Sequence, residues 1–159
     1  MSESWRSRLM EPHEATEVCD LVTRVFNEFV APLYSQEGNR EFMEYVQPDL
    51  LLRRSQAGHF VLVAAAHGEV VGMIEVRNYD HICLLFVDKR LQRHGIAKVL
   101  VREALESCLS HRPDLREITV NSSPNSVQTY ERLGFRQMWP EQVVNGIRFT
   151  AMALDLAAE

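Results

Sequence analysis

Cysteine is scarce: the chain has three, Cys19, Cys83 and Cys108, with no C-x-x-C spacing. That excludes a disulfide framework and a cysteine-rich zinc module, and reads as reduced thiols, two of them in the core, of a cytoplasmic protein. Long apolar runs are also lacking. The longest, residues 60–66, falls far short of the ~20 residues that span a bilayer, and Met1-Ser2-Glu3-Ser4-Trp5-Arg6 shows no apolar signal region, so neither membrane nor targeting is expected. Glycine (7) and proline (6) are sparse and scattered, leaving no linker, repeat or low-complexity segment. Residues 1–159 therefore read as one domain, long enough to bury a sizeable core. His13, His59, His67 and His111 show no ligand spacing with any cysteine or acid, so no metal is expected. Bases are in deficit, 17 against 22 acids for a net charge of −5, which argues against nucleic acid as a partner and suits a cationic or amine ligand.

Against that deficit, one stretch stands out. Residues 84–105 read LLFVDKRLQRHGIAKVLVREAL, and the run from His81 to Val87 is apolar on both alternating faces, as a central strand covered on both sides would be. Ala97, Leu100, Val101, Ala104, Leu105 and Cys108 then fall on one stripe at helical period, with Lys98, Arg102, Glu103 and Glu106 facing away. Between the two lies a basic turn. Helix starts favour acids, because the free backbone N–H groups and the macrodipole are positive there. This one carries Lys89, Arg90, Arg93, His94 and Lys98 and no acid after Asp88, so it suits an external anion, phosphate above all. Gly95 lets such a ligand approach the backbone.

The remaining elements follow from pattern. Residues 5–10 suit a short first strand, and Val18, Leu21, Val22, Val25, Phe26 and Phe29 mark a first helix ending near Pro32. The segment 31–39 reads as a loop holding Tyr34 and Glu37, followed by a second helix at about 40–46, stopped by Pro48, and a further helical turn or two through Leu50, Leu51 and Leu52. Residues 60–66 and 70–76 form a hairpin about His67-Gly68, and Asn78-Tyr79-Asp80 turns the chain into the central strand, giving an antiparallel meander. The organising helix ends near His111-Arg112-Pro113. The next strand, 117–121, lies parallel to the central one because a helix intervenes, and two such strands can part at their carboxyl ends to admit a ligand. Ser123 and Pro124 start a short helix in which Val127, Tyr130 and Leu133 share a face, and Gly134 ends it. Residues 135–138 and 147–156 are the last strands, with Asn145-Gly146 as a turn.

Gln92-Arg93-His94-Gly95-Ile96-Ala97, directly after Leu85-Phe86-Val87-Asp88, resembles the R/Q-x-x-G-x-G/A pyrophosphate loop of the GNAT superfamily of N-acetyltransferases. Asn121-Ser122-Ser123-Pro124-Asn125 and Tyr130-Glu131-Arg132-Leu133-Gly134-Phe135 follow at the distance of that family's second motif. The resemblance implies an α/β fold with a mixed, mostly antiparallel sheet of about six to seven strands flanked by about four helices, in the order β-α-α-β-β-β-α-β-α-β-β.

It also implies an activity: transfer of an acetyl group from acetyl-CoA to a primary amine of a small molecule or peptide, by direct attack in a ternary complex. The cofactor would be held by Gln92, Arg93, His94, Gly95, Ile96, Ala97 and Lys98, with Asn121, Ser123 and Asn125 flanking the pantetheine arm. Ser123 stands where the family often has Asn. A backbone N–H at Leu85, Phe86 or Val87 would polarise the thioester, and Tyr130 would serve the leaving thiolate. For the base, His81 falls where the histone acetyltransferase branch carries a glutamate, Glu75 is the alternative, and some members use water alone. Tyr34 and Glu37 are the candidates to touch the acceptor. Cys83 has no activating partner in sequence and reads as packing. The rival readings are a non-catalytic acyl-CoA sensor or interaction module, and acetylation of a protein or an aminoacyl-tRNA. The oligomeric state is left open, a homodimer among the options.

Overall fold

The computed structural model describes residues 5–156. Eight strands form the sheet: β1 (Arg6–Leu9), β2 (His59–Ala66), β3 (Glu69–Arg77), β4 (His81–Val87), β5 (Glu117–Ser122), β6 (Arg136–Gln137), β7 (Gln142–Val144) and β8 (Ile147–Asp155). Their spatial order is β1-β2-β3-β4-β5-β8-β6, with β7 paired to β8. Every pairing is antiparallel except β4 with β5, as the intervening helix requires. Among the described residues five α-helices accompany them: α1 (Ala15–Phe29), α2 (Gln36–Tyr45), α3 (Pro48–Ser55), α4 (Ile96–His111) and α5 (Val127–Arg132).

The apolar stripe of α4 packs Ile96, Leu100, Val101, Ala104 and Cys108 against Leu62, Ile74, Ile82 and Ile118 on one face of the sheet. Gly72 is what lets α4 settle so closely on β3, since a Cβ there would lie 2.9 Å from Ile96 Cγ2. On the other face, Val18, Leu21, Val22 and Val25 of α1 and Leu51 of α3 cover Val61, Val63, Met73 and Leu84. Both faces of β4 are thus covered, and the strand is central.

Three elements differ from the sequence expectation. First, α2 begins at Gln36, not at Arg40, because Ser35 caps it: its hydroxyl accepts from Gly38 N at 3.1 Å. Glu37 consequently lies in the first turn of a helix. Second, the turn or two after Pro48 is an eight-residue helix with Pro48 in its first turn. Third, the last strands number three, because Asn145-Gly146, with φ of 52° and 81°, folds β7 back on β8 while β6 retains only two residues. The Asn145-Gly146 turn docks on α2. Ser35 N donates to the Gly146 carbonyl at 3.3 Å, and a Cβ on Gly38 would overlap that same oxygen.

Candidate active site

The site begins where β4 and β5 part. Their parallel pairing covers only His81 with Thr119 and Ile82 with Val120, and a bulge at Cys83 follows, since Val76 pairs with Ile82 while Glu75 pairs with Leu84. Beyond the bulge β4 keeps its partner on one side only. Asp88 N donates to Val71 O at 2.8 Å, so by the two-residue alternation Phe86 and Leu84 also turn their N–H groups to β3. Leu85 and Val87 therefore turn theirs towards the gap, which excludes Phe86 from the three candidate donors. The gap opens into a cleft of about 930 Å³, lined on one side by the α4 turn and the 121–133 segment and on the other by α1, α2 and the β7–β8 hairpin.

The basic turn is sorted by its neighbours. Lys89 pairs with Glu28 at 2.6 Å, and Arg90 pairs with Glu69 at 3.2 Å and with Asp88 at 3.0 Å. Asp88 is buried and also holds Arg24 at 3.0 Å. Hydrogen bonds from Arg90, foremost, and Arg24 pull its carboxyl down to about 2, so it stays ionised and fixes the turn. Among the described residues no acid pairs with Arg93, His94 or Lys98, which leaves the α4 end positive. Arg93 is held at φ 70°, an uncommon region for a residue with a side chain, and Gly95 at φ 84°. The first turn of α4 has neither an acid nor a side-chain cap, and nothing lies within 4 Å of a Cβ built on Gly95. Open backbone, free N–H groups and unpaired cations together fit a phosphate chain. Gln92, Arg93, Gly95, Ile96, Ala97 and Lys98 line the cleft, as do Leu85, Phe86 and Val87, whereas His94 stands outside the lining. Gln92 acts structurally as well, its amide donating to Val87 O at 3.1 Å.

Across from the turn, Asn121, Ser123 and Asn125 also line the cleft. Tyr130 does too, its ring edge-on to Phe135 at 5.3 Å. Burial pushes the Tyr130 hydroxyl well above the usual tyrosine value, so it keeps its proton at any working pH. Among the described residues no hydrogen-bond partner holds that hydroxyl.

Of the acceptor candidates, Tyr34 lines the cleft and Glu37 does not. The carboxylate that does is Glu41, one helical turn further along α2, with Oε2 3.5 Å from Asn145 Nδ2. Once Ser35 is read as the cap, the i, i+4 spacing makes Glu41 legible; a helix begun at Arg40 hides it. Sequence reasoning also missed the aromatic lining: Phe26 stacks on Phe42 at 3.8 Å, edge-on to Tyr34 at 5.6 Å, and Phe42 reaches Phe86 at 6.0 Å.

The two base candidates do not come together, and neither lines the cleft. His81 opens β4 at the end far from Val87, with Nδ1 2.7 Å from Thr119 Oγ1; burial, helped by Arg77, lowers its pKa to about 4, so it is neutral at pH 7. Glu75 is not an exposed strand-end residue but fully buried, held by Arg54 Nε at 2.7 Å and by His59 Nδ1 at 2.7 Å, with the Tyr45 hydroxyl 3.4 Å from both oxygens. Cys83, whose ligand atom lies near this group, faces the cleft. The fold brings His59, Glu75 and Cys83 ligand atoms within 4.8 Å of one another, a grouping that chain spacing concealed. Arg54 donates to both Glu75 oxygens, however, so a guanidinium already occupies the place of a cation there.

Comparison with known proteins agrees with this geometry. A family model for the acetyltransferase (GNAT) domain matches residues 30–156. Among solved structures, a GCN5-related N-acetyltransferase from Rhodopseudomonas palustris aligns with a TM-score of 0.80 at 22% identity, over 98% of this chain and 99% of that one. The PaiA N-acetyltransferase of Thermoplasma acidophilum, solved in complex with coenzyme A, gives 0.78 at 19% identity over 96% and 99%. A spermidine N-acetyltransferase SpeG chimera from Vibrio cholerae and hSSAT gives 0.64 at 17% over 95% of each chain. Among curated proteins no sequence matches significantly. The chain belongs to the GNAT acetyltransferase family. It is an acyltransferase that uses acetyl-CoA. Among the described residues no helix is long and apolar enough to cross a membrane.

Proposed function

We propose that the chain, acting as one domain in the cytoplasm, transfers the acetyl group of acetyl-CoA to a primary amine by direct attack in a ternary complex. One observation carries this reading: the parting of β4 and β5 sets backbone donors, a protonated tyrosine and a positive helix end along a single cleft. Acetyl-CoA supplies the activated acyl group. Arg93, Lys98 and the first N–H groups of α4 hold its phosphates, and Asn121, Ser123 and Asn125 flank the arm. Leu85 or Val87 N–H polarises the carbonyl. Tyr130 donates a hydrogen bond to the departing sulfur. The new C–N bond forms as the C–S bond breaks. The electron pair leaves with sulfur, and the second amine proton balances it, so that neutral amine and thioester give amide and thiol.

The amine is deprotonated without His81 or Glu75, in this reading. An apolar lining favours the neutral form of an entering amine, so its proton passes to water at the mouth beside Glu41.

A thermal melt tests the cofactor half. Acetyl-CoA at a hundred times its Kd should raise Tm by about 5 to 10 °C, with ATP and NAD as controls that do not. Amine-dependent thiol release then tests the transfer. Binding without release for any amine would return the chain to the acyl-CoA sensor reading, and an equal shift with ATP or NAD would make the turn a general phosphate site.

A further inference from the structure

The two halves of the cleft are chemically unlike. Among the described residues, the three basic side chains that line it, Arg93, Lys98 and Arg132, belong to the α4 and α5 side. The opposite half is walled by Phe26, Phe29, Tyr34, Phe42, Phe86 and Phe149, and among the described residues its one acidic side chain is Glu41 at the rim. Five of these six rings are only partly buried, so they keep accessible area facing the cleft; only Phe26 is fully covered, by stacking on Phe42 at 3.8 Å. Arg148, next to Phe149 on β8, is tied to Glu141 at 2.8 Å and to Leu33 O at 3.3 Å and does not line the cleft.

We propose that the acceptor is a primary amine carried on an aromatic or compact apolar body, of the arylalkylamine class. This rests on the acetyltransferase reading above. An unstrained aromatic wall gives an aryl group stacking and edge contacts at little ordering cost. A polyamine would bring further ammonium groups into that wall, where burial of an unpaired charge is strongly unfavourable and one carboxylate serves at most one of them. An α-amino acid would bring a carboxylate into a half where, among the described residues, no basic side chain lines the wall to receive it. Glu41, exposed and held towards Asn145, attracts the ammonium at the mouth before it loses its proton. The wall is continuous: Tyr34 touches Phe26, Phe26 stacks on Phe42, and Phe42 reaches Phe86 on β4, beside the Leu85 donor.

The experiment is steady-state thiol release from acetyl-CoA with 2-phenylethylamine, spermidine, glycine and a lysine peptide, alongside acetyl-CoA melts. We expect kcat/KM for 2-phenylethylamine to exceed that for the other three by at least about tenfold, the scale on which one apolar contact discriminates. Phe149→Ala should lower it by about tenfold while leaving the acetyl-CoA melt shift intact, and Phe149→Leu should recover part of the loss. Glu41→Gln should reduce kcat/KM a few-fold and flatten its dependence on salt. Turnover of spermidine or the peptide with 2-phenylethylamine inert would overturn this inference and leave the acetyltransferase standing. If no amine were turned over while acetyl-CoA still shifted the melt, the acetyltransferase reading itself would fall. Equal loss of all amines in Phe149→Ala, or an unchanged rate with 2-phenylethylamine, would remove the wall from recognition.

Discussion

Replacing Arg54 by Met tests the structure beneath the cleft floor. Glu75 has no exposed surface, and Arg54, 16% exposed, gives it hydrogen bonds at 2.7 and 3.2 Å, while a third bond runs to Tyr45 O at 2.9 Å and the guanidinium lies 3.6 Å from the Tyr45 ring centroid. Removing the arginine leaves a buried carboxylate with His59 and Tyr45 alone. Breaking a buried pair from one side costs about 3–5 kcal/mol, most of it from the abandoned charge. At this chain length that is a fall in Tm of about 6 to 20 °C. Glu75→Gln should cost less, because Arg54 can still reach solvent. The double variant should then be more stable than the two single losses added together, with a coupling of about 2 kcal/mol or more. Urea and thermal unfolding followed by circular dichroism would measure all three. A loss below about 1 kcal/mol for Arg54→Met, or simple additivity, would refute the account.

Three further outcomes follow from the geometry. Tyr130→Phe should lower kcat by about tenfold to a hundredfold with the acetyl-CoA melt shift unchanged; an unaltered rate would return Tyr130 to the core. His81 has a folded pKa of about 4 against 6.5 unfolded, so the unfolded chain binds the proton first and stability should decline as pH falls from about 6.5 to 4, a slope that His81→Gln should reduce in acid melts while the pH–rate profile stays as it was. Gly38→Ala should raise the amine KM more than it disturbs acetyl-CoA binding, because the new methyl pushes the Asn145-Gly146 turn off α2; steady-state kinetics read this, and equal effects on both substrates would contradict it.

Much of this was legible in the sequence, for identifiable reasons. Strand β4 and helix α4 declare themselves by period, and their bounds as expected match His81–Val87 and an end at His111. The basic turn is legible because cations sit against a helix dipole without acids to answer them locally. What the sequence conceals is long-range. Glu28 and Glu69 neutralise Lys89 and Arg90 from distant elements, so of the turn's four lysines and arginines only Arg93 and Lys98 stay without an acid partner among the described residues. Glu75 looks like a strand-end acid because its partners Arg54 and His59 lie on α3 and β2. The α2 boundary was missed through a single cap, Ser35, and with it Glu41.

The narrow joint between β4 and β5 has a mechanical meaning. With two bridged residue pairs, it joins a half-sheet of β1–β4 to one of β5–β8 at the base of the cleft, and the glycine seam between α2 and the β7–β8 turn ties them again on the far side. The site is thus the opening of a ring closed by two clasps, with α4 laid across both half-sheets on one face. Loosening either lets one half-sheet swing about the other, and amide exchange would rise first along β5 and β8, in proportion to how far the ring relaxes.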